Sequence, residues 1–104
     1  MQGTTEEIHN RALRGDARAM NNIANRYYLG YQSKKDMAKA LKWWDKAIKA
    51  GDTDALVHMG MLHDAGDGVK KNPVKARILF EKAATAGNTE ALRVLGIKAT
   101  GKNK

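Results

Sequence analysis

Cysteine is absent from the 104 residues. This excludes a disulfide framework, a thiolate nucleophile and any zinc–thiolate site, and it fits a reducing compartment. Serine occurs once, at Ser33, outside any G-x-S-x-G context. With no cysteine, nucleophilic catalysis by the usual routes would rest on this lone serine, and Ser33 reads as a turn residue. Proline also occurs once, at Pro73, and aromatic residues make up only 6% of the chain. No apolar run approaches the roughly 20 residues that cross a bilayer. The opening "MQGTTEEIHN" has neither the basic flank nor the apolar stretch of a secretory leader, and no N-x-[ST] acceptor occurs. The expectation is a cytoplasmic protein with no membrane partner, unless a natural leader once preceded Met1.

Acidic residues are in deficit: 19 Lys and Arg stand against 11 Asp and Glu, a net charge of +8. The excess is spread over both halves of the chain, with no basic tail. It favours acidic partners by attraction, without specifying any of them. A hydrophobic content of 42% is enough for a small core and argues against wholesale disorder. The length allows one domain, residues 1–104.

What is present is a repeat. "AGDTDAL" at 50–56 returns as "AGNTEAL" at 86–92. Gly15, Gly51 and Gly87 keep the same interval of 36, each followed by a helix-capping residue, Asp16, Asp52 or Asn88. Ala19, Ala55 and Ala91 share it, as do Ala40 with Ala76, Ala47 with Ala83, and Gly60 with Gly96. A fixed period of this size marks a solenoid, in which each unit buries its apolar face on its neighbour. Each unit reads as two helices. In the second unit the helices start at Thr53 and, with Asn72 as cap and Pro73 at the first helical position, at Pro73. In the first they lie near 17–29 and 36–50. "TTEEIHNRALRG" offers a capping box of Thr4 and Glu7 and an apolar stripe of Ile8, Ala12 and Leu13. The expected organisation is a leading helix at 4–14, repeat one at 15–50, repeat two at 51–86, and a partial third repeat with a tail at 87–104.

The second unit resembles a Sel-1-like repeat, a relative of the tetratricopeptide repeat. The positions that carry the resemblance are Ala55, Met59-Gly60, His63 (usually Tyr), the loop Gly66-Asp67-Gly68-Val69, Lys75-Ala76, Leu79-Phe80, Ala83-Ala84 and Gly87. The first unit matches through Ala19, Ile23-Ala24, Tyr27, Lys39-Ala40, Trp43-Trp44, Ala47 and Gly51, but its loop "GYQS" lacks the second glycine and the valine. The resemblance implies an all-α fold, a short αα-solenoid of Sel-1-like/tetratricopeptide-like helix pairs. It also implies a protein-binding role, often as an adaptor or regulator in bacteria and their phages.

Candidate chemistry is sparse. His58 and His63 are five apart, about 140° around a helix, so they miss the i, i+4 face of metal pairs, and His63 is expected in a helix-pair interface. His9 is expected to be exposed. "GIKATGKN" (96–103) nearly spells a phosphate-binding loop, but a helix precedes it and Asn103 replaces the magnesium-binding hydroxyl. Trp43 and Trp44 point about 100° apart and form no single stacking platform; at least one belongs to the core. No metal, cofactor or catalytic constellation is expected, and hence no enzyme.

Two surfaces remain. In tetratricopeptide-like solenoids the first helix of each unit lines the concave side. That geometry nominates a groove of Arg18, Asn21, Asn25, Tyr28, Asp54, Val57, Met61, Asp64, Arg93 and Ile97. Side-chain amides both donate and accept, so such a groove suits an extended protein or peptide segment, acidic in part, or a protein surface. The alternative is a basic stripe on one helix, Lys39, Lys42, Lys46 and Lys49, which could track nucleic-acid phosphates. Most such stripes are solvated outer faces, so nucleic acid is the less expected partner.

Overall fold

The computed structural model describes residues 5–31 and 34–96. Among them are six helices and no strand: α1 Thr5–Leu13, α2 Ala17–Leu29, α3 Met37–Lys49, α4 Thr53–Ala65, α5 Pro73–Thr85 and α6 Thr89–Val94. No helix of the described residues is long and apolar enough to cross a membrane. The chain divides into two compact units, residues 1–55 and 56–104. The expected capping box rests on Thr4, which lies outside the described residues.

The 36-residue period is written into the hydrogen bonds that end the helices. The N–H groups of Asp16, Asp52 and Asn88 donate to the carbonyls of Arg11, Ala47 and Ala83 at 3.0, 2.9 and 3.0 Å. The residue before each donor is Gly15, Gly51 or Gly87, with φ of +92°, +99° and +91°. This is the left-handed closure in which a chain reverses out of a helix, and only glycine enters it without a Cβ penalty. The donors then start the next helix. Asp16 and Asn88 accept from the N–H groups of Ala19 and Ala91, three residues on, and Asp52 accepts from that of Asp54.

The turn inside each unit repeats too. Asp36 N–H donates to the Tyr27 carbonyl at 2.9 Å, and Asn72 N–H to the His63 carbonyl at 2.8 Å. Gly30 and Gly66 begin these turns with φ of +74° and +71°. The first glycine and the closing bond therefore survive in repeat one, although the second glycine and the valine do not.

In unit 1, Ile8 and Ala12 of α1 pack on Ala19 and Ile23 of α2, with Met20, Tyr27 and Trp43 against them. Leu13, expected in that stripe, is 74% exposed. It lies about 140° around the helix from Ile8, whereas Ala12 lies about 40° away. Trp44 is the largest fully buried side chain, and its indole Nε1–H donates to the Asn21 amide oxygen at 2.8 Å. In unit 2 the core is Val57, Ala76, Phe80, Ala83 and Ala91.

Comparing register positions exposes a substitution in tandem. Asn21 and Val57 stand 36 apart, and so do Trp44 and Phe80. Repeat one thus holds a hydrogen-bonded Asn–Trp pair where repeat two holds an apolar Val–Phe pair. The two changes go together because a buried indole N–H needs an acceptor and a phenyl ring does not.

Candidate functional site

The outward face of α2 is set by geometry. At 100° per residue, Arg18, Asn22, Asn25 and Leu29 fall within roughly 60° of one another. Ile23 and Ala24 point elsewhere and are buried. Beside this stripe a cleft of about 610 Å³ opens between α1 and α2, lined by Ile8, Asn22, Asn25, Arg26, Leu29, Gly30 and Tyr31. Its walls combine two chemistries. Leu29 and Tyr31 present exposed apolar surface, and the Arg26 guanidinium lies over the Tyr31 ring, 4.9 Å from its centroid. Asn22 and Asn25 are half-buried, and no hydrogen bond ties either amide to another described residue. Those amides can therefore donate and accept toward an arriving group at no cost in internal bonds.

Two of the expected groove residues are withdrawn from any partner. Asn21 is buried, its amide turned onto Trp44. Val57 is buried at the centre of the unit 2 core. Tyr28 is half-buried, tilted against Trp44 with ring centroids 5.6 Å apart, and Lys35 lies over it at 4.8 Å. The reason is rotational. Asn21 and Tyr28 sit roughly 70–90° from the centre of the outward stripe, on the side that meets α3. The outward residues of α2 are spaced 4, 3, 4 from Arg18, whereas the groove expected from the sequence is spaced 3, 4, 3. The expected groove therefore leaves out Asn22 and Leu29 of the outward stripe and, beside it, the cleft-lining Arg26 and Tyr31. The 4, 3, 4 spacing was the available signal.

The other candidates are more accessible. Arg18, Asp54, Asp64 and Arg93 are exposed, and Met61 is 41% exposed. Arg93 pairs with Glu90 one turn back. Asp64 lines a second cleft, of about 440 Å³, in unit 2, together with Pro73, Val74, Ala76, Arg77, Phe80, Val94 and Leu95. Ile97 lies outside the described residues, as do Ser33 and nearly all of "GIKATGKN".

The basic stripe is less free than its spacing suggests. Lys39 Nζ lies over the Tyr27 ring at 5.4 Å, Lys46 Nζ over the Trp43 ring at 4.7 Å, and Lys49 pairs with Asp45 at 3.1 Å. Lys42 is exposed. Two lysines thus rest on π faces that base stacking would need. His9, expected to be exposed, is half-buried and meets Trp43 edge-on, ring centroids 5.3 Å apart. His63 is buried, its Nδ1 3.4 Å from the Lys70 carbonyl oxygen. Among the described residues no three His, Asp or Glu side chains converge to hold a metal ion.

The repeat geometry has known counterparts. Solved structures with the same fold include c5321, a protective antigen of uropathogenic Escherichia coli that displays an SLR fold, at 30% identity and a TM-score of 0.85. That match covers 91% of this chain but 20% of the antigen, so the chain spans about a fifth of that protein's length. A Sel1 repeat protein from Oxalobacter formigenes matches at 27% identity and a TM-score of 0.80, covering 95% of this chain and 78% of that one. Helicobacter pylori cysteine rich protein B matches at 28% and 0.78, covering 86% and 68%. No functionally curated protein matches the sequence. The Sel1 repeat family model matches residues 17–52 and 53–88, the two units that the glycine turns delimit. The chain belongs to the Sel1 repeat family.

Proposed function

We propose that the chain is a non-catalytic protein-interaction module, an adaptor, regulator or inhibitor, that holds an extended peptide segment in the α1–α2 cleft. The observation that carries this is the pair of amides, Asn22 and Asn25, standing without described partners beside the exposed apolar surface of Leu29 and Tyr31. A peptide backbone offers alternating donors and acceptors, which side-chain amides match. Arg18, exposed at the other end of the same stripe, suits an acidic side chain on the ligand, and Leu29 and Tyr31 suit an apolar one. Sel1 repeat proteins are generally protein–protein interaction modules, which supports the class of partner but not its identity. Met61, Asp54 and Arg93 are further accessible positions on the first helices of later repeats.

Peptides selected from a random library against the immobilised chain should be enriched in acidic and apolar residues. Their affinity should fall at least about tenfold, a loss of roughly 1.4 kcal/mol, in Asn25→Ala combined with Leu29→Ala. The melting temperature should hold, since neither side chain belongs to the core. Lys42→Glu with Lys46→Glu should change the affinity little, and duplex DNA should bind weakly and be released near physiological salt. Unchanged peptide affinity in the cleft variant, with affinity lost in the lysine variant, would move the site to α3.

A further inference from the structure

Resting on the cleft reading above, we infer that Arg26, carried on the ring of Tyr31, is the specificity-determining residue of the α1–α2 cleft, and that it reads the carboxylate of an Asp or Glu side chain in the bound segment. Arg26 is the one charged side chain among the described residues that line the cleft. The charge complement of the cleft is therefore a single anion. Arg26 is half-buried, unlike the exposed Arg18 at the far end of the stripe, so solvent and salt screen an ion pair less at Arg26 than at Arg18.

The turn that ends α2 builds the pair. Gly30, at φ of +74°, reverses the chain. The N–H groups of Gly30 and Tyr31 both donate to the Arg26 carbonyl, the second at 2.9 Å. This closure sets Tyr31 back beside Arg26, whose guanidinium carbon lies 4.9 Å from the ring centroid. Repeat two closes in the same way: Asp67 N–H donates to the Leu62 carbonyl at 3.0 Å, after Gly66 at φ of +71°. Yet its side chains at the two equivalent positions are Leu62, which is buried, and Asp67. The turn thus requires neither an arginine nor a ring. The last turn of α4 also does without a base at that position, so the preference of helix C-termini for cations does not account for Arg26.

Resting on a ring face holds a guanidinium in place and consumes none of its five N–H donors. Those donors match a carboxylate in pairs, and a side chain already ordered loses less freedom when it binds. The source of the carboxylate follows from the backbone. A chain-terminal carboxylate is captured by backbone N–H groups, and the two at this turn, those of Gly30 and Tyr31, are already given to the Arg26 carbonyl. A side-chain carboxylate needs only the guanidinium. The segment that carries it then runs on along Asn25 and Asn22, with Leu29 and Tyr31 beside its neighbouring apolar residue.

Peptides selected from a random library on the immobilised full chain serve as the probe. Calorimetric titration in about 0.3 M salt screens their general attraction to a chain of charge +8. Replacing one acidic residue of the peptide by its amide should weaken binding at least about tenfold. The same replacement should cost little against Arg26→Gln, because a double-mutant cycle registers a coupled pair only once. Arg26→Lys should bind almost as weakly as Arg26→Gln, since an ammonium has no fork. Tyr31→Phe should keep the coupling and Tyr31→Ala should shrink it. Selected peptides without acidic residues overturn the inference, as does a peptide acid whose replacement costs the same against the native chain and Arg26→Gln. So does coupling found at Arg18→Gln instead, or affinity lost on amidating the peptide's terminal carboxylate alone. The cleft reading survives each of these results as long as Asn25→Ala with Leu29→Ala still weakens binding. If that variant binds as well as the native chain, the cleft reading and this inference fall together.

Discussion

Trp44→Ala should destabilise the protein by about 3–5 kcal/mol, the largest loss expected from any single truncation in the chain. A tryptophan buries roughly 150–250 Å², and at about 25 cal/mol per Å² that is on the order of 4–6 kcal/mol of transfer free energy. Trp44 is 1% exposed, so nearly all of it is at stake. The hydrogen bond to Asn21 is the smaller part, about 1 kcal/mol net, but breaking it from one side costs more, roughly 1–3 kcal/mol for the polar group left buried. Against a total stability of about 5–15 kcal/mol for an ordinary domain, thermal or urea unfolding of Trp44→Ala should show a large part of the margin gone. Asn21→Val and Trp44→Phe should each be costly, the first by removing the acceptor of the indole N–H and the second by removing the donor to the Asn21 amide oxygen and leaving a void. Together they reproduce the Val57–Phe80 pair of repeat two. The double variant should therefore cost about 1–2 kcal/mol less than the sum of the singles. Simple additivity would mean that the two positions do not act as a pair.

The second large effect lies in unit 2. A Cβ placed on Gly60 would stand 2.6 Å from Cε1 of Phe80 and 2.9 Å from its Cδ1. The ring cannot swing away freely, because Phe80 is itself buried in the unit 2 core. Gly60→Leu should cost about 3 kcal/mol or slightly more through overpacking. Gly60→Ala is the sharper test, because two effects oppose each other. Removing a glycine from a helix interior stabilises by up to about 1 kcal/mol, so an uncrowded site would show a higher melting temperature. The contact with Phe80 predicts a lower one, and Phe80→Leu in the Gly60→Ala background should recover part of the loss.

Gly60 also shows how far the sequence could be read. The interval of 36 marks Gly60 and Gly96 as equivalents, yet Gly60 lies inside α4 against a ring while Gly96 has φ of +76° just past the end of α6. The same letter at the same register serves a close approach in one copy and a helix exit in the other. The turn glycines were legible because positive φ is a local demand that few other residues meet. Helix starts were legible for the same reason: Asp16, Asp36, Asn72 and Asn88 each accept from the N–H three residues on.

Side-chain direction was less legible. A face of α2 chosen one residue off puts Asn21 and Tyr28 outward, whereas Trp44, 23 residues after Asn21, draws both inward. Nothing local to α2 announces that contact. It becomes readable only when Asn21 is compared with Val57 and Trp44 with Phe80, since both differ between the repeats together. Likewise the lysines of α3 look like a free stripe by spacing, and only the positions of Tyr27 and Trp43 show that Lys39 and Lys46 are laid on rings.

The most direct measurement of the central claim is an amide chemical-shift titration of the full chain with a peptide selected against it. Shift changes should concentrate on Ile8, Asn22, Asn25, Arg26, Leu29 and Tyr31, including the side-chain NH₂ resonances of the two asparagines, and should disappear in Asn25→Ala with Leu29→Ala. Changes confined to Lys39, Lys42, Lys46 and Lys49, persisting in that variant, would contradict the account and place binding on the basic face of α3.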